Sequence, residues 1–451
     1  MRAGLRKVEN GVAVVAFLLL ALLPAVEIIL RSLFQLGVQG YNNYIFHLVL
    51  VISFIGGMIT SREQRHLAMT AGLALSQGEL RAGLQTAVNF VSVSVTTALT
   101  WSSLVLVLIG FEPDSTIGFI PVHVFVAAMP IGFAVMAVRF FTRTPVGGGR
   151  RVIVGVGFLV GTFFALSSGY NALFVLGTPI PPFVDVIMGA WYGYSWYVTI
   201  PLAVAIVVSA AIGVPIFVVL AGVALMLFSR SGGSLEVIPL EGYTMLTGNT
   251  IPAIPLFTLA GFILSESKAG ERLVRLFRSF FGWVPGGMAV AAVLVSTFFT
   301  TFTGASGVTI LALGGLLFFI LTDSGKYSER FSTGLLTGSG SIGLLFPPSL
   351  AIILYGAVAQ VNISHLFLGG ILPGLLFVIA MSVTGVYAAV RNKVDTVPFD
   401  WKEAWAALRD AIWEVLLPVV IIAFYFGGIT TLVETSAIAV VYAFLVETVI
   451  H

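Results

Sequence analysis

Long apolar runs constrain this chain of 451 residues more than any other feature of its sequence. A helix needs about 20 apolar residues to cross the hydrocarbon core of a membrane, whereas the strands of a membrane barrel show short alternating segments. Only 9% of the residues are charged, against about 25% in soluble domains. The long runs lie near residues 11–34, 44–60, 84–110, 119–141, 152–169, 197–228, 250–265, 287–303, 307–322, 335–360, 366–390, 411–429 and 432–450. The sequence therefore predicts an all-α polytopic membrane protein and excludes a soluble fold.

Lysine and arginine in the short connections predict which side of the membrane each connection occupies, because these residues favour the cytoplasmic side. They precede the first run, separate the second from the third and follow the fourth, at Arg2, Arg6, Lys7, Arg62, Arg65, Arg81, Arg139, Arg143, Arg150 and Arg151. Connections 35–43 and 111–118 contain neither residue type. We therefore expect a four-helix bundle whose N-terminus is cytoplasmic.

Two short apolar runs in the second half, 287–303 and 307–322, are joined by the small polar sequence Thr303–Gly307. The basic residues on either side of this pair can share one side of the membrane only if the chain returns between them. A re-entrant hairpin meets this condition, with its polar tip buried in protein rather than in lipid. Two full crossings meet it equally well, so both arrangements stay open.

The segment 147–196 separates the two halves. It begins with three consecutive glycines, continues as one apolar run, and then becomes rich in proline and aromatic residues at Pro179, Pro181, Pro182, Trp191, Tyr192, Tyr194 and Trp196. Because Trp and Tyr favour the membrane interface, we expect a connecting helix followed by a linker along the outer surface. Gly157 and Gly161 have the GxxxG spacing that lets membrane helices approach closely.

Few charged residues fall within the apolar runs. Glu27 and Arg31 are four residues apart and can therefore pair on one helix face. Glu434 opens the last run, and a carboxylate in a membrane segment is a candidate functional group. Its position near a helix start also fits a capping or interfacial residue. Both interpretations of Glu434 stay open.

Enzyme motifs receive little support. Residues Gly338–Gly343 match the dinucleotide-binding spacing GxGxxG, but they follow no predicted strand and run directly into prolines. The sequence contains no cysteine, no HExxH and no GxSxG, and its five histidines are scattered. A net charge of +2 gives no basic surface for nucleic acid. We therefore predict a protein that is not an enzyme, binds no nucleic acid and carries no cofactor.

Small polar residues are concentrated in two of the apolar runs. The first cluster comprises Thr300, Thr301, Thr303, Ser306 and Thr309. The second comprises Thr337, Ser339 and Ser341 among Gly338, Gly340 and Gly343, and it ends at Pro347, Pro348 and Ser349. Glycine and proline interrupt helices, and unwound backbone in a membrane has carbonyl oxygens that need a partner or a cation. Sodium suits such oxygens, and close helix packing through small residues is the alternative explanation.

Several motifs, in order along most of the chain, resemble those of the tripartite ATP-independent periplasmic (TRAP) transporters. Residues 1 to about 145 resemble the small four-helix membrane subunit, including the sequence Arg62–His66 after the second run. Residues from about 197 resemble the large subunit. The sequence motifs typical of the large subunit appear as Gly213–Pro215, Ile254–Gly261, Val284–Gly287, Thr303–Ser306, Gly340–Ser349 and Leu366–Gly374. The chain is therefore similar to a fusion of the two subunits.

This resemblance implies a domain organisation and a function. Residues 1–146 would form the small subunit, 147–196 a connecting helix and interfacial linker, and 197–451 the large subunit as far as the first of its two inverted repeats. The second repeat would be truncated or supplied by another polypeptide. The implied function is sodium-coupled import of organic acids, carboxylates or sugar acids, across a bacterial inner membrane by an elevator movement. A periplasmic binding protein would deliver the substrate, and membrane lipid would surround the chain.

The resemblance also assigns candidate site residues. The expected sodium ligands lie at the hairpin tip and the helix break: Ser306, Gly338, Ser339, Gly340, Ser341, Gly343 and Pro347. The expected substrate contacts are Thr303, Gly304, Ala305, Ser306, Pro348 and Ser349. A non-transporting scaffold or assembly subunit is the alternative, in which the same small residues only pack helices.

Overall fold

A computed structural model describes residues 2–69, 71–230, 233–304, 306–324, 327–394, 396 and 398–451. The chain divides into two compact units. Unit 1 comprises residues up to Leu18 together with Asn42–Thr247, and unit 2 comprises Leu19–Tyr41 together with Gly248–His451. The described residues are almost entirely helical, with one antiparallel pair of two-residue strands at Thr116–Ile117 and Ile120–Pro121. The prediction of an all-α membrane protein is confirmed.

Unit 1 contains part of the first helix and ten helices that follow it. They are α1 (Arg2–Phe34, shared with unit 2), α2 (Tyr41–Glu63), α3 (Ala71–Ala74), α4 (Gly78–Ile109), α5 (Val122–Val126), α6 (Ala128–Thr142), α7 (Arg150–Phe164), α8 (Leu166–Val175), α9 (Pro182–Ile212), α10 (Ile216–Arg230) and α11 (Val237–Leu246). Helix α4 packs against both α6 and α7. A Cβ added at Gly161 would lie 2.4 Å from the carbonyl oxygen of Ser94 in α4. The predicted packing role of the GxxxG pair is confirmed.

The connection between the two halves differs from the expected linker. The predicted connecting helix is bent by 43° between α7 and α8. The aromatic cluster lies within α9, which begins with Pro182 at its first position, so the expected boundary between residues 196 and 197 falls inside a helix. Proline is compatible with the first helical turn, because the amide hydrogen it lacks has no partner there. The predicted run 197–228 is likewise interrupted at Gly213, whose φ of 127° ends α9 before α10 begins.

Unit 2 contains shorter and interrupted helices. They are α12 (Ala253–Glu266), α13 (Ala269–Phe281), α14 (Gly287–Thr303), α15 (Ser306–Phe319), α16 (Glu329–Ser339), α17 (Leu350–Ala359), α18 (Ile363–Asn392), α19 (Trp401–Phe426) and α20 (Leu432–Leu445). A π-helical turn follows α15, a 3₁₀ turn at Ile342–Leu345 separates α16 from α17, and a second π-helical turn follows α20. Helix α14 has 17 residues, and α15 with the π-helical turn that directly continues it has 19 (14 and 5), against the roughly 20 residues of a full crossing. These lengths leave the re-entrant hairpin and the two crossings both open.

Seven helices of the described chain are long and apolar enough to cross a membrane. They are Arg6–Arg31, Tyr41–Glu63, Gly78–Ile109, Val122–Thr142, Pro182–Ile212, Ile363–Asn392 and Leu432–Ile450. Two bent pairs meet the same test together, namely Arg150–Phe164 with Leu166–Val175 and Glu329–Leu345 with Leu350–Ala359. The described chain therefore has between seven and nine candidate spans, which confirms a multi-pass membrane protein.

Glu434 lies in the first turn of α20, where its carboxylate caps the helix. Its carboxylate accepts a hydrogen bond from the Thr431 backbone at 2.7 Å, and the Thr431 hydroxyl accepts one from the Glu434 backbone at 3.3 Å, which is a capping box. Arg31 donates to the same carboxylate at 2.6 Å. The carboxylate of Glu27 instead accepts the backbone N–H of Val38 at 2.6 Å. The capping interpretation is confirmed, and the expected pairing of Glu27 with Arg31 is wrong because Glu434 takes the arginine.

Candidate functional site

The hairpin tip brings three threonine hydroxyls together. The hydroxyl oxygen of Thr309 lies 2.9 Å from that of Thr300 and 2.9 Å from that of Thr303, and all three side chains are buried. Helix α14 ends because Gly304 adopts a left-handed conformation with φ of 65°, which glycine enters at little cost. Helix α15 then begins at Ser306. Ala305, an expected substrate contact, lies outside the described residues.

The helix break begins after Ser339, 35 residues beyond Gly304 at the hairpin tip, and is rich in glycine and proline. Helix α16 ends at Ser339, the 3₁₀ turn follows, and a cis peptide bond joins Pro347 to Pro348. The hydroxyl of Ser349 then accepts a hydrogen bond from the Ile352 backbone and begins α17. Because residues 340–349 leave the α-helical pattern, part of their backbone lacks the usual helical partners. The interruption predicted from glycine and proline is confirmed.

The structure brings the hairpin and the break into direct contact. The single hydroxyl proton of Thr301 is shared between two carbonyl oxygens, that of Thr297 in its own helix at 2.9 Å and that of Gly343 in the break at 3.2 Å. A Cβ added at Gly343 would lie 2.4 Å from the Thr297 carbonyl oxygen and 2.6 Å from the Thr301 nitrogen. Gly340 approaches Ser306 similarly, since its Cβ would lie 3.5 Å from that of the serine. Two segments about 40 residues apart in sequence therefore form one polar cluster beside a broken helix, the kind of place where membrane transporters bind ions and substrate.

The predicted site residues differ in their accessibility. Those that are buried are Thr303, Ser339, Gly340, Gly343, Pro347, Pro348 and Ser349. Gly304 and Ser306 are partly buried, whereas Gly338 and Ser341 are exposed. The hydroxyl of Ser339 donates to the Leu336 carbonyl at 3.2 Å, within its own helix. The structure thus collects both expected residue sets in one region, and their roles toward sodium and substrate stay predictions.

One residue of the cluster was not singled out in the sequence. The hydroxyl of Thr297 is buried and, among the described residues, has no hydrogen-bond partner. Its carbonyl oxygen accepts the Thr301 hydroxyl at 2.9 Å. Thr297 lies one helical turn before Thr300 and Thr301, so extending the hydroxyl pattern backwards by three or four residues would have found it. A buried hydroxyl without a partner is a free oxygen ligand, because burial without a hydrogen bond is costly.

The donor set of the cluster determines which chemistry it suits. Its groups are neutral hydroxyl and carbonyl oxygens, and the described part of the chain contains no group of three or more His, Asp or Glu residues placed to hold a metal ion. Neutral oxygens suit hard monovalent cations better than transition metals, which prefer imidazole or thiolate. The N-terminus of α15 adds backbone N–H groups that favour an anion. A hard cation and a small anion are therefore the chemically matched ligands.

Comparison with known proteins shows two consecutive family matches. Residues 20–146 match the DctQ component of the tripartite ATP-independent periplasmic transporters, and residues 203–451 match the DctM component. The C4-dicarboxylate TRAP transporter large permease protein DctM of Vibrio cholerae is 35% identical over 245 residues, covering 53% of each chain. The ectoine TRAP transporter large permease protein TeaC of Halomonas elongata is 32% identical, covering 53% of this chain and 57% of the relative.

A further relative matches across both halves. The isethionate TRAP transporter permease protein DctMQ of Oleidesulfovibrio alaskensis is 29% identical over 359 residues, covering 78% of this chain and 53% of the relative. The chain thus spans about half the length of these curated relatives. All three are named as transporter permeases rather than enzymes. Since one family model alone covers more than half of the chain, the chain belongs to the tripartite ATP-independent periplasmic transporter family, with DctQ-like and DctM-like parts in one polypeptide.

Proposed function

We propose that this chain is part of a sodium-coupled importer of small organic acids in a bacterial inner membrane. The observation that carries the proposal is the hydrogen bond from Thr301 to Gly343, which joins the hairpin tip to the helix break. Sodium bound by oxygens on both sides of this contact would hold the two segments together. Binding of the ion would then order the hairpin before substrate binds.

The proposed sodium ligands combine the predicted and the newly found residues. Carbonyl oxygens between Gly338 and Pro347, and the hydroxyl of Thr297, provide the neutral oxygens that sodium requires. A substrate carboxylate would contact the tip and the start of α17, near Thr303, Gly304 and Ser349. A helix N-terminus favours such an anion. Each net positive charge carried inward by sodium gains about 2.3 kcal/mol per 100 mV of membrane potential.

Orientation and partners complete the proposal. Basic residues at Arg62 and Arg143 support a cytoplasmic N-terminus, because basic residues favour the cytoplasmic side. The relatives are named for C4-dicarboxylates, ectoine and isethionate, which supports an organic acid as the substrate class here. A periplasmic binding protein would deliver that substrate, and the hairpin region would move across the membrane as an elevator. Because the chain spans about half the length of these curated relatives, import is proposed for the whole transporter to which the chain belongs.

Sodium binding can be tested on this chain without transport. The unfolding temperature of the purified chain in detergent would be measured in sodium chloride and in choline chloride at equal ionic strength. We expect sodium to raise it, because a ligand that binds only the folded state stabilises that state. Thr297→Val should reduce the shift by at least about half, since it removes one oxygen ligand and keeps a β-branched side chain. Thr333→Val is the matched control, because Thr333 is an exposed residue of α16 whose hydroxyl bonds only within its helix.

Transport itself needs the complete system. The uptake assay would use proteoliposomes that contain the chain, the rest of the large subunit and the cognate binding protein, with an imposed sodium gradient. Sodium-dependent uptake of an organic acid that is lost in Thr297→Val would support the proposal. The proposal would be contradicted if sodium and choline raised the unfolding temperature of the chain equally while every variant still folded normally. That outcome would favour the scaffold function instead.

A further inference from the structure

Unit 1 contains a polar cleft that the proposed transport cycle does not use. The cleft has a volume of about 380 Å³, within the range of about 300–1,000 Å³ typical of small-molecule sites. It lies where α2 ends, α4 begins and α9 turns into α10. Its polar lining residues are Ser61, Gln64, His66, Gln85, Asn89 and Arg143. None of its lining residues is acidic.

Two polar atoms on the cleft wall lack partners among the described residues. The Ser61 hydroxyl belongs to a side chain that is only 2% exposed, and neither it nor the Nε2 atom of His66 has a hydrogen bond. The Thr60 hydroxyl donates to the Gly56 carbonyl at 2.9 Å and therefore accepts from Nδ1 of His66 at 3.2 Å. This assigns the ring proton to Nδ1 and leaves Nε2 as a free acceptor. The cleft consequently offers one hydroxyl and one acceptor to a ligand.

The cleft also has an excess positive charge. Glu9 pairs with Arg62 at 2.8 Å and with Arg139, and Glu63 pairs with Arg62 at 2.9 Å. Arg143 donates to the backbone carbonyl of Arg62 and has no carboxylate partner among the described residues. The three arginines and two glutamates leave a net charge of +1. The remaining N–H groups of Arg143 are free to bind an oxyanion, which the guanidinium recognises in a fixed planar geometry.

The surroundings favour a lipid as the source of that oxyanion. The segment from the end of α2 to the first turn of α4 exposes large apolar side chains at Leu67, Met69, Leu75 and Leu80. Exposed apolar groups next to a basic cleft at the ends of membrane helices fit acyl chains below an anionic headgroup. Arg62 and Arg143 place this end at the cytoplasmic leaflet, where anionic lipids attract basic residues. A free anion in water would not require the apolar rim.

We propose that this cleft binds the headgroup of an anionic phospholipid that carries a hydroxyl group, such as phosphatidylglycerol. The phosphate contacts Arg143, and a headgroup hydroxyl donates to Nε2 of His66. Ser61 donates its otherwise unpartnered hydroxyl to a phosphate oxygen. The site does not depend on sodium or on the transported substrate, so it stands apart from the proposed transport function.

The test measures binding of fluorescent phosphatidylglycerol to the purified full chain in detergent micelles. Arg143→Gln should weaken the apparent affinity about fivefold, the effect of removing one basic residue near an anionic headgroup. Arg65→Gln is the matched control, because it removes the same charge from an exposed residue of the connection after α2 that is not part of the cleft lining. It should change the affinity less than about twofold, since a charge outside the site adds little. Unlabelled phosphatidylglycerol should displace the probe, and phosphatidylcholine should not.

A second variant tests the hydroxyl contact, and it keeps the proposal testable if Arg143→Gln does not fold. The ring of His66 packs between Phe140 and Phe217, with ring centroids 5.7 and 5.1 Å away, so His66→Phe retains an aromatic ring in that place. It should reduce the preference for phosphatidylglycerol over phosphatidylmethanol, an anionic lipid of the same charge whose headgroup has no hydroxyl donor. Equal effects of Arg143→Gln and Arg65→Gln would overturn the proposal, as would displacement by phosphatidylcholine. Full displacement by inorganic phosphate alone would assign the cleft to a free anion and overturn the lipid assignment.

Discussion

Two regions of the molecule are equally rich in buried hydroxyl groups and use them differently. In α4 of unit 1, Ser92, Thr96 and Ser103 each donate to the carbonyl oxygen four residues earlier, inside an uninterrupted helix. In unit 2, Thr301 shares its one hydroxyl proton between the same kind of carbonyl within α14 and the Gly343 carbonyl across a helix break. Each region also contains a buried threonine hydroxyl without a partner, Thr97 in α4 and Thr297 in α14, but only Thr297 lies beside a helix break.

The comparison shows that a hydroxyl-rich helix is not by itself an ion site. Hydroxyls that bond back to their own helix let helices pack closely, as where Gly161 of α7 meets α4. An ion needs oxygens that converge from separate segments, and helix breaks supply them. Variants at the helix break of unit 2 should therefore change sodium binding, whereas variants at the contact of α4 with α7 in unit 1 should change folding stability alone.

The largest expected effect is that of Gly343→Ala. The added Cβ would lie 2.4 Å from the Thr297 carbonyl oxygen, so the break must move away from α14. We expect at least about a tenfold loss of sodium affinity, equal to about 1.4 kcal/mol, measured by the sodium-dependent shift in unfolding temperature. Gly334→Ala is the control, because a Cβ at Gly334 in α16 meets no atom within 4 Å. A normal sodium response in Gly343→Ala would show that the contact with α14 is unnecessary for the site.

Gly161→Ala creates an equally close contact in unit 1. Its Cβ would lie 2.4 Å from the Ser94 carbonyl oxygen. Overpacking of this kind costs about 1–3 kcal/mol of folding free energy, which should lower the unfolding temperature while the sodium-induced shift of the folded protein stays unchanged. Gly155→Ala is the control, since its nearest neighbour would be 3.7 Å away. An altered sodium response in Gly161→Ala would remove the proposed distinction between the regions.

Thr301→Val and Thr96→Val form a matched pair of buried threonines. Both lose a hydrogen bond within their helix, but only Thr301→Val also loses the bond to Gly343. A single net hydrogen bond contributes about 1 kcal/mol, so Thr301→Val should weaken sodium binding about fivefold. Thr96→Val should leave it unchanged. The sodium affinity of each variant would be measured by titrating sodium and following the unfolding temperature. Equal sodium affinities of the two variants would contradict the comparison.

The last expected effect is a pH dependence in unit 1. Burial, together with the smaller contribution of the nearby positive charge of Arg143, lowers the pKa of His66 from 6.5 to about 4. Because the folded-state pKa is below the unfolded value, the stabilisation is complete above pH 6.5 and is lost as the pH falls toward 4. The unfolding temperature should therefore fall between pH 7 and pH 5, and His66→Phe should show a smaller fall. Equal curves for the two proteins would contradict the prediction.

The sequence alone determined the membrane class, the approximate helix positions and the location of the helix break. Those features depend on local chemistry, because apolar length decides which segments can cross a bilayer and glycine and proline decide where a helix stops. The same local rules identified the capping interpretation of Glu434. They misplaced the aromatic cluster of α9, since tryptophan and tyrosine indicate an interface but do not prevent a helix.

Only the tertiary structure decided which distant groups meet. No local pattern pairs Arg31 with Glu434 across about 400 residues, or Thr301 with Gly343. The cleft beside Arg143 also requires α2, α4, α6 and the start of α10 to be placed together. Helix packing creates these sites, because side chains from separate helices must converge before their charges and oxygens can act as one group.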